Sequence, residues 1–376
     1  MSVNIEVIQD PAQFGALAAD WDRLVVESQH SANGLDATTG HLWFSALTQT
    51  FEQAQQARIV VLREGGQIVG LLPLVASGGK LCKRLMVATE IYGGRNGFML
   101  KRNDPILLGA LLRGIGMAYG PWHSLKMMIV EGSPSDQLLQ SAGPGLGLNI
   151  IGNGGWDSPY FPLLDSHEEF VVGMSKGLKQ TIRTSTNKFK TMGELRYVDI
   201  APPQTPATLI DAILAVERAS WKHESGTAIT RNPNQERFYR ELFPAGIEAG
   251  LIFGVIMFLN ESPIAFNFGL LRSGIFSCLK HSDRQDHQNL SPNQLLNVVL
   301  IERLRARGVK TYDYMGHAEP HKMRWSGKTQ TYFRHPTWIY GASPCGMIGY
   351  VQHRLKQALR HRRSNAEPTQ PSDQPA

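Results

Sequence analysis

Apolar residues in the last third of the chain form three short continuous runs, which predict three strands. The runs span residues 251–259, 264–271 and 274–280, and turn-forming residues separate them at 260–263 and 272–273. Continuous apolar runs of this length are typical of buried strands. Because the connections are short, the three strands should pair antiparallel as a meander.

The pattern then changes to that of a helix followed by a strand. Ser291 is a good N-cap residue, and Pro292 suits the first helical position because the N–H that it lacks would be unpaired there. Gly308 should end the helix, and residues 309–316 predict the next strand. The apolar residues that define the helix stand at 295, 296, 299 and 300.

The first half of the chain also predicts helices followed by a sheet, although no sequence repeat is evident. We therefore expect two domains whose sheets flank one cleft, with an irregular loop at 92–97 beside it. The last residues are rich in Pro and Gln, which is typical of disorder. The predicted units are a first half at 1–165, a second half at 166–345, a basic amphipathic helix at 346–363 and a disordered tail at 364–376.

Length and composition agree with this division. A chain of 376 residues with 42% hydrophobic and 19% charged residues can build more than one core. The sequence has no apolar run of about 18 residues, and its start lacks the basic and apolar regions of a secretory signal. We therefore expect a cytoplasmic protein, either free or peripheral to the inner face of the membrane.

The three cysteines, Cys82, Cys278 and Cys345, are widely spaced and odd in number. This spacing matches neither a disulfide framework nor a zinc site. We therefore expect reduced thiols and no metal.

Positive charge is concentrated in two segments. The formal net charge of +6 is too small for this length to imply nucleic acid. Residues 174–193, however, carry five cations and no acid on a predicted amphipathic helix. They form either a solvated face or a contact for an anionic partner such as a nucleotide, tRNA or a phospholipid surface. The basic helix near the C-terminus either packs on its own domain or lies on an anionic membrane.

Several short segments together resemble the BioF2-like (CelD-like) acetyltransferase domain family of the GNAT superfamily, which is related to the FemAB-like transferases. The resemblance is clearest over residues 165–340. It implies an α+β fold of tandem GNAT-like (acyl-CoA N-acyltransferase) domains, with mixed, mostly antiparallel sheets flanked by helices. The segments are 217–222 (ERASWK), 262–265 (SPIA), 290–292 (LSP), 312–316 (YDYMG) and 321–325 (HKMRW).

The resemblance also implies an acyl-CoA donor whose pyrophosphate lies at the start of the helix after the meander. Helix starts favour phosphate because their first N–H groups are unpaired. Two residues depart from the family pattern, since Asn293 replaces a common Gly and His321 replaces a common Tyr. The predicted donor-binding residues are Leu290, Ser291, Asn293 and Gln294.

Acyl transfer to an amine requires a deprotonated amine, a polarised carbonyl and close positioning of both groups. Asp313 could orient the substrate or act as a base, or it could simply bond to backbone at a strand end. Lys322 stands at the family's Lys position and would neutralise a phosphate, and we expect it to be partly exposed. The predicted catalytic residues are Asp313, Lys322, Glu217 and His281, and the predicted substrate-binding residues are Trp221, Lys222, Tyr312, Trp325 and Arg183.

The sequence therefore predicts an acyltransferase that moves an acyl group from acyl-CoA or another thioester to an amine or hydroxyl. By the resemblance, the acceptor is a sugar, nucleotide-sugar or lipid-linked intermediate in cell-envelope or exopolysaccharide production. Two alternatives stay open: a FemAB-like transferase that uses aminoacyl-tRNA, and a non-catalytic accessory protein of polysaccharide synthesis. Motifs of serine hydrolases, zinc proteases and dinucleotide-binding proteins are absent from the sequence.

Overall fold

The computed structural model describes residues 2–28, 37–79, 82–91, 94–163 and 166–364. Within these residues, the strands are β1 (Asn4–Ile8), β2 (Arg58–Glu64), β3 (Gln67–Gly78), β4 (Lys83–Val87), β5 (Met99–Leu100), β6 (Trp122–Val130), β7 (Asn149–Gly152), β8 (Trp156–Pro162), β9 (Leu195–Asp199), β10 (Ile252–Leu259), β11 (Ser262–Arg272), β12 (Ile275–Asp283), β13 (Thr311–Asp313) and β14 (Gln330–Tyr340). The helices are α1 (Ala18–Glu27), α2 (His41–Thr50), α3 (Glu52–Gln55), α4 (Pro105–Tyr119), α5 (Pro134–Ala142), α6 (His167–Gly173), α7 (Lys176–Met192), α8 (Pro206–Arg218), α9 (Trp221–Glu224), α10 (Pro233–Glu248), α11 (Pro292–Ala306), α12 (Pro320–Met323) and α13 (Pro344–Ser364).

The strands form one continuous mixed sheet rather than two sheets that flank a cleft. Its order is β1-β2-β3-β4-β6-β14-β8-β13-β12-β11-β10-β9, with β5 beside β3 and β7 beside β14. Most neighbours are antiparallel, and the parallel pairs are β4 with β6 and β12 with β13. The predicted fold class, an α+β tandem GNAT-like fold, is confirmed, whereas the facing arrangement of the two sheets is wrong.

The two halves of the chain interlock at the centre of this sheet. Strand β14, from the second half, pairs with β6 of the first half. Strand β8, from the first half, lies between β14 and β13 of the second half. The predicted boundary residue 165 and the predicted tail residues 365–376 lie outside the described residues. Backbone hydrogen bonds of the sheet therefore join strands of the first half to strands of the second half.

Helices cover both faces of the sheet in each half. Alternate residues of β10 show the pattern, because Phe253 and Val255 face the core under α7 and α11, whereas Ile252 and Ile256 face the core under α8 and α10. In the first half, α4 and α5 cover one face, and α1 and α2 cover the other. Helix α2 also reaches the second half, where the rings of Trp43 and Phe238 have centroids 4.8 Å apart. Two helical layers therefore enclose one sheet.

The predicted meander and the helix after it are present as strands β10 to β12 and helix α11. Pro292 is the first residue of α11, but Ser291 is not a side-chain cap, because its backbone is left-handed (φ 50°, ψ 52°). A 3-10 helix over Gln285–Leu290, which the apolar pattern did not predict, leads the chain into this conformation. Gly308, with φ of +74°, ends the helix as predicted. The following strand covers only part of the predicted 309–316.

The expectation of three reduced thiols is wrong for two of them. Cys82 and Cys345 form a disulfide whose Cα atoms are 5.7 Å apart. It links the segment before β4 to the start of α13, although 263 residues separate the two cysteines. Cys278 is a free thiol that is buried in the core. Sequence spacing cannot reveal such a pair, because only the folded sheet brings the two segments together.

Among the helices of the described chain, none combines the length and the apolar character that crossing a bilayer requires.

Candidate active site

A small cavity lies where the end of β12 meets the start of α11 and the α12 segment. It has a volume of about 50 Å³. Several buried polar atoms at it have no hydrogen-bond partner among the described residues, namely Asn293 Oδ1, Gln294 Oε1, Tyr314 OH and Arg324 Nε. Buried polar groups without partners are uncommon in folded proteins unless a ligand or water satisfies them. The lining residues are Asn267, His281, Asn293, Gln294, Asn297, Tyr314, His321, Arg324 and Trp325.

Strand β12 contributes His281 to the lining of this cavity and places Asp283 beside it. Asn267 of β11 lies opposite His281, and Ala265 lies opposite Asp283. Because residues two apart on a strand share a face, His281 and Asp283 stand side by side. The side chain of Asn293, in the first turn of α11, donates a hydrogen bond to the Asp283 carboxyl group.

A buried polar network supports the floor of the cavity. The Asn267 side-chain N–H₂ donates to Asn297 Oδ1 at 2.7 Å and to the Tyr312 hydroxyl at 2.9 Å. The Cys278 thiol donates to Asn267 Oδ1 at 3.3 Å. These bonds join β11, β12, β13 and α11. They fix the strand ends and the helix start relative to each other.

Lysine charges surround His281. The Lys222 ammonium donates a hydrogen bond to the backbone carbonyl of His281. Burial lowers the pKa of Lys222, and the nearby Glu217 carboxylate partly opposes that shift. Burial also lowers the pKa of His281 to about 3, with Lys222 and Lys322 acting in the same direction. His281 is therefore a neutral imidazole at physiological pH.

Asp283 is the carboxyl group whose properties best suit a general base. Burial raises its pKa from 3.8 to about 6, and the Lys222 ammonium and the Asn293 amide oppose the shift. A base is most effective when its pKa lies near the working pH. At neutral pH this carboxyl group is ionised and basic enough to accept a proton.

Lys322 lies beside the cavity but is not the partly exposed residue that the sequence predicted. Its side chain is only 9% exposed, and its ammonium contacts Glu319 at 2.8 Å and donates to the His317 carbonyl at 3.0 Å. A Cβ atom on Gly316 would lie 2.9 Å from this ammonium, so the glycine makes room for it. These contacts arise because the chain folds back on itself over residues 315–323.

Glu217 is completely buried behind the α9 segment. One of its carboxylate oxygens accepts a hydrogen bond from the Ile229 N–H at 2.5 Å, and the other has no hydrogen-bond partner among the described residues. Its charge acts on Lys222 and on Lys280, whose pKa burial lowers. Its catalytic role stays a prediction, and its contacts are those of a counter-charge for two lysines.

Asp313 lies apart from the cavity, in a buried cluster between the two halves. Arg95 Nη1 lies 2.9 Å from one of its oxygens. The Tyr332 hydroxyl donates to both oxygens at 3.1 and 3.2 Å, and the Met315 N–H donates at 2.8 Å. The predicted alternation is present, because Tyr312 and Tyr314 face the other side with ring centroids 4.8 Å apart. Asp313 therefore has the contacts of a structural carboxylate, the alternative that the sequence left open.

The other predicted residues divide into those at the cavity and those away from it. His281, Asn293, Gln294 and Trp325 line the cavity, and Lys222 and Ser291 adjoin the lining residues. Tyr312 is fully buried in the supporting network and does not line the cavity, so its contact with substrate stays a prediction. Those that do not line the cavity are Leu290, whose side chain is in the core, and Trp221 and Arg183, which are exposed.

Sequence reasoning missed several residues of the site, chiefly Asp283, Asn267, Asn297 and Tyr314. A signal for Asp283 was present, since it follows the predicted His281 by two residues on one strand. The asparagines gave no signal of their own. Only the pairing of β11 with β12 and the packing of α11 bring them together.

Comparison with known proteins agrees with this geometry. A family model described as an acetyltransferase (GNAT) domain matches residues 176–323, which include the meander, the start of α11 and Lys322. Among curated proteins, none matches the chain significantly.

Solved structures share the fold of nearly the whole chain. FemX is 13% identical, with a TM-score of 0.60 over 88% of this chain and 96% of its own. A tandem GNAT protein from the clavulanic acid biosynthesis pathway is 13% identical, with a TM-score of 0.53 over 91% and 99%. The C-terminal domain of a putative lysylphosphatidylglycerol synthetase from Agrobacterium fabrum is 11% identical, with a TM-score of 0.53 over 92% and 97%.

The second half of the chain thus carries an acetyltransferase domain of the GNAT type on a tandem GNAT-like fold. The predicted enzyme class, a GNAT-type acyltransferase, is confirmed by the family match. Identities this low show a shared fold and leave the substrates open.

Proposed function

We propose that this protein is a BioF2-like acyltransferase that takes an acyl group from acyl-CoA to an amine or hydroxyl at the cavity beside α11. The observation that carries the proposal is the hydrogen bond between Asn293, which lines the cavity at the start of a helix, and Asp283, a half-buried carboxyl group with a pKa of about 6. The first group can accept the proton of the acceptor, and the second can hold the anionic donor.

The donor would bind with its pyrophosphate at the first turn of α11. Asn293 and Gln294 of this turn line the cavity. Lys222 and Lys322 supply positive charge close by. A helix start with two nearby cations is well suited to a phosphate group.

The reaction then needs one proton acceptor. As the acceptor nitrogen or oxygen attacks the thioester carbonyl, a C–N or C–O bond forms, the C–S bond breaks and the CoA thiolate leaves. The acceptor proton passes to the Asp283 carboxylate, directly or through a water molecule. The neutral His281 imidazole can donate a hydrogen bond to the developing oxyanion.

The resemblance to the BioF2-like family supports a sugar, nucleotide-sugar or lipid-linked acceptor in cell-envelope or exopolysaccharide production. The cavity is too small for a whole acceptor of this kind. The acceptor would therefore place only its reacting group there.

A second candidate is a FemAB-like transfer from aminoacyl-tRNA, and one observation favours it. The α7 cations Lys176, Arg183, Lys188 and Lys190 are exposed, and α7 contains no acid. Such a face could contact the phosphates of tRNA. A non-catalytic accessory role would require that neither donor binds.

Calorimetry with CoA tests the donor site through Asn293→Asp. The new carboxylate would repel both the donor phosphate and Asp283, so affinity for CoA should fall by roughly tenfold or more. The matched control is Asn234→Asp, because Asn234 also follows a proline at the start of a helix, α10, but is exposed away from the cavity. The control should bind CoA like the parent.

Equal binding of CoA by the parent and the Asn293→Asp variant would contradict the proposed donor site. If the parent binds no CoA, thermal-shift measurements with aminoacyl-tRNA decide between the remaining candidates. Stabilisation by charged tRNA supports the FemAB-like reaction, and no stabilisation by either ligand supports the accessory role.

A further inference from the structure

Helix α13 is held against the first half by the face that carries its small residues. A Cβ atom on Gly349 would lie 2.7 Å from the His123 ring, and one on Gly346 would collide with the Gly341 backbone. The disulfide through Cys345 fixes the start of the helix, and the ring of His353 packs against Trp338 with centroids 5.0 Å apart. These contacts determine which face of α13 points to the protein and which face points to solvent.

The opposite face of α13 presents an apolar stripe to solvent. Its members are separated by three, four and four residues, so they lie on one side of a helix. They are Ile348, Val351, Leu355 and Leu359, which are 54%, 50%, 59% and 59% exposed. An exposed apolar stripe of this length usually marks a contact with another surface.

The charge of the same helix is entirely positive. From residue 344 to residue 364 the sequence contains no Asp or Glu, while cations continue to Arg363. Exposed Arg354 and Lys356 lie on the two flanks of the apolar stripe. An amphipathic helix with an apolar face and cationic flanks is typical of helices that lie on anionic membranes.

A second cavity opens beside the helix, between α13 and strands β4, β6 and β14. It has a volume of about 290 Å³, its basic lining residues are Arg84, His123, His353 and Lys356, and no acidic residue of the described chain lines it. The His123 ring lies beside Gln352 in the lining, and its Nδ1 atom is 3.1 Å from the Ser124 hydroxyl. Burial lowers the pKa of His123, and Arg84 acts in the same direction. The cavity is therefore electropositive and offers polar groups to an anion.

We propose that α13 docks the protein on an anionic phospholipid surface, with its apolar stripe in the interface and a headgroup phosphate in the cavity formed by Arg84, His123 and Lys356. Lys356 belongs to both features, since it flanks the stripe and lines the cavity. One bound lipid could therefore place its acyl chains along the stripe and its phosphate among the cations.

Other partners fit these features less well. A nucleic acid would use the cations but would leave the apolar stripe in water. A second copy of the chain could cover the stripe, but it would bring two basic helices together. A free phosphate would occupy the cavity without using the stripe.

Vesicle sedimentation tests the proposal with the full chain. The protein should pellet with vesicles of phosphatidylcholine mixed with phosphatidylglycerol, and much less with phosphatidylcholine alone. The stripe variant L355E/L359E should lose at least about tenfold in partitioning. The cavity variant R84Q/K356Q should lose about 25-fold, since each cation near an anionic surface contributes roughly fivefold.

The matched control for the cavity variant is R231Q/K328Q. Arg231 and Lys328 are exposed cations of the second half, so the control removes the same charge away from α13. It should retain nearly parental partitioning. All altered side chains are exposed, and unchanged melting temperatures would confirm that folding is intact.

The alternatives give different results. Equal pelleting with both vesicle types, or equal losses in the cavity variant and its control, would overturn the proposal. Binding of inorganic phosphate without pelleting would indicate a free-anion site instead. A concentration-dependent dimer in sedimentation velocity that the stripe variant abolishes, again without pelleting, would show that a second copy covers the stripe.

Discussion

Two groups of buried charges lie within this sheet, and they differ in how their charges are paired. The seam cluster, which joins the two halves, consists of Arg95, Asp313 and Tyr332. Its carboxylate receives an ion pair, a hydroxyl and a backbone N–H. The cavity cluster consists of Lys222, His281, Asp283 and Lys322. Lys222, His281 and Asp283 have displaced pKa values, and polar atoms at the adjoining cavity have no hydrogen-bond partner among the described residues.

We expect this difference to separate stabilising charges from reactive ones. A buried charge costs free energy unless it is paired, so a chain retains unmatched buried charges mainly where they serve a ligand or a reaction. Asp313 has an ion pair with Arg95, whereas Lys222 and Asn293 offset the burial of Asp283 only in part, so its pKa stays raised. The comparison thus moves the expected general base from Asp313, which the motif suggested, to Asp283.

The largest expected effect is the loss of activity in Asp283→Asn. An amide cannot accept the acceptor proton, so turnover with an acyl-CoA should fall by about 10²–10⁴-fold while the fold persists. The kcat/KM of the parent should rise with pH through about 6 as the Asp283 carboxyl group ionises, and the variant should lack that rise. Initial rates measured across the pH range check both points.

The substitution Asp283→Asn should also change the free energy of unfolding, in a direction that depends on pH. Because folding raises the pKa of Asp283 from 3.8 to about 6, the folded state holds this proton more tightly than the unfolded state. Its contribution to the free energy of unfolding therefore falls as the pH rises between these values. Above pH 6 the Asn variant should be at least as stable as the parent.

The control for the activity measurement is Asp286→Asn, at an exposed carboxylate paired with Arg284. This variant should keep full activity.

The next largest effect concerns the seam cluster. Arg95→Met leaves the buried Asp313 carboxylate without its cation, and the free energy of unfolding should fall by about 3–5 kcal/mol. Denaturant unfolding measures this loss. Adding Asp313→Leu should recover part of it, because an apolar pair avoids the cost of a lone buried charge.

A matched surface pair provides the control. Arg240 lies 2.9 Å from Asp211 and 3.0 Å from Glu236, but its side chain is 39% exposed. Arg240→Met should therefore cost less than about 1 kcal/mol. Equal losses for Arg95→Met and Arg240→Met would show that the seam cluster does not hold the halves together.

The smallest effect tests whether the charge of Lys322 acts on the other members of the cavity cluster. Its positive charge lowers the pKa values of His281 and Lys222. Lys322→Met should therefore raise both pKa values, and NMR titration of the His281 imidazole measures the shift. An unchanged pKa at His281 would leave Lys322 only its contacts with Glu319 and His317, which stabilise the loop.

Local signals predicted the elements of the second half well. The continuous apolar runs and the Ser-Pro step gave β10 to β12 and α11, because strand burial and helix initiation depend on neighbouring residues. The cap at Ser291 failed because the preceding 3-10 helix forces a left-handed backbone there. That segment has no strong periodic pattern of its own.

The candidate site was predicted only in part. His281, Asn293, Gln294 and Trp325 reached the cavity because they belong to segments with recognisable motifs. Asp313 and Tyr312 belong to such a segment too, but packing between the halves gave them other partners. Motifs in the sequence indicate the region of a site. The tertiary contacts and the burial of each side chain determine which of its residues reach the cavity.

The sequence by itself determined the class of fold, the order of elements around α11 and the basic character of α7 and α13. These properties follow from periodicity and composition, which act along the chain. The tertiary structure alone decided the interlocking of β8 with β14, the Cys82–Cys345 disulfide, the pairing of Arg95 with Asp313 and the displaced pKa of Asp283. Each of these depends on contacts or burial created by residues far apart in sequence, and hydrophobic pattern carries no information about which distant segments will meet.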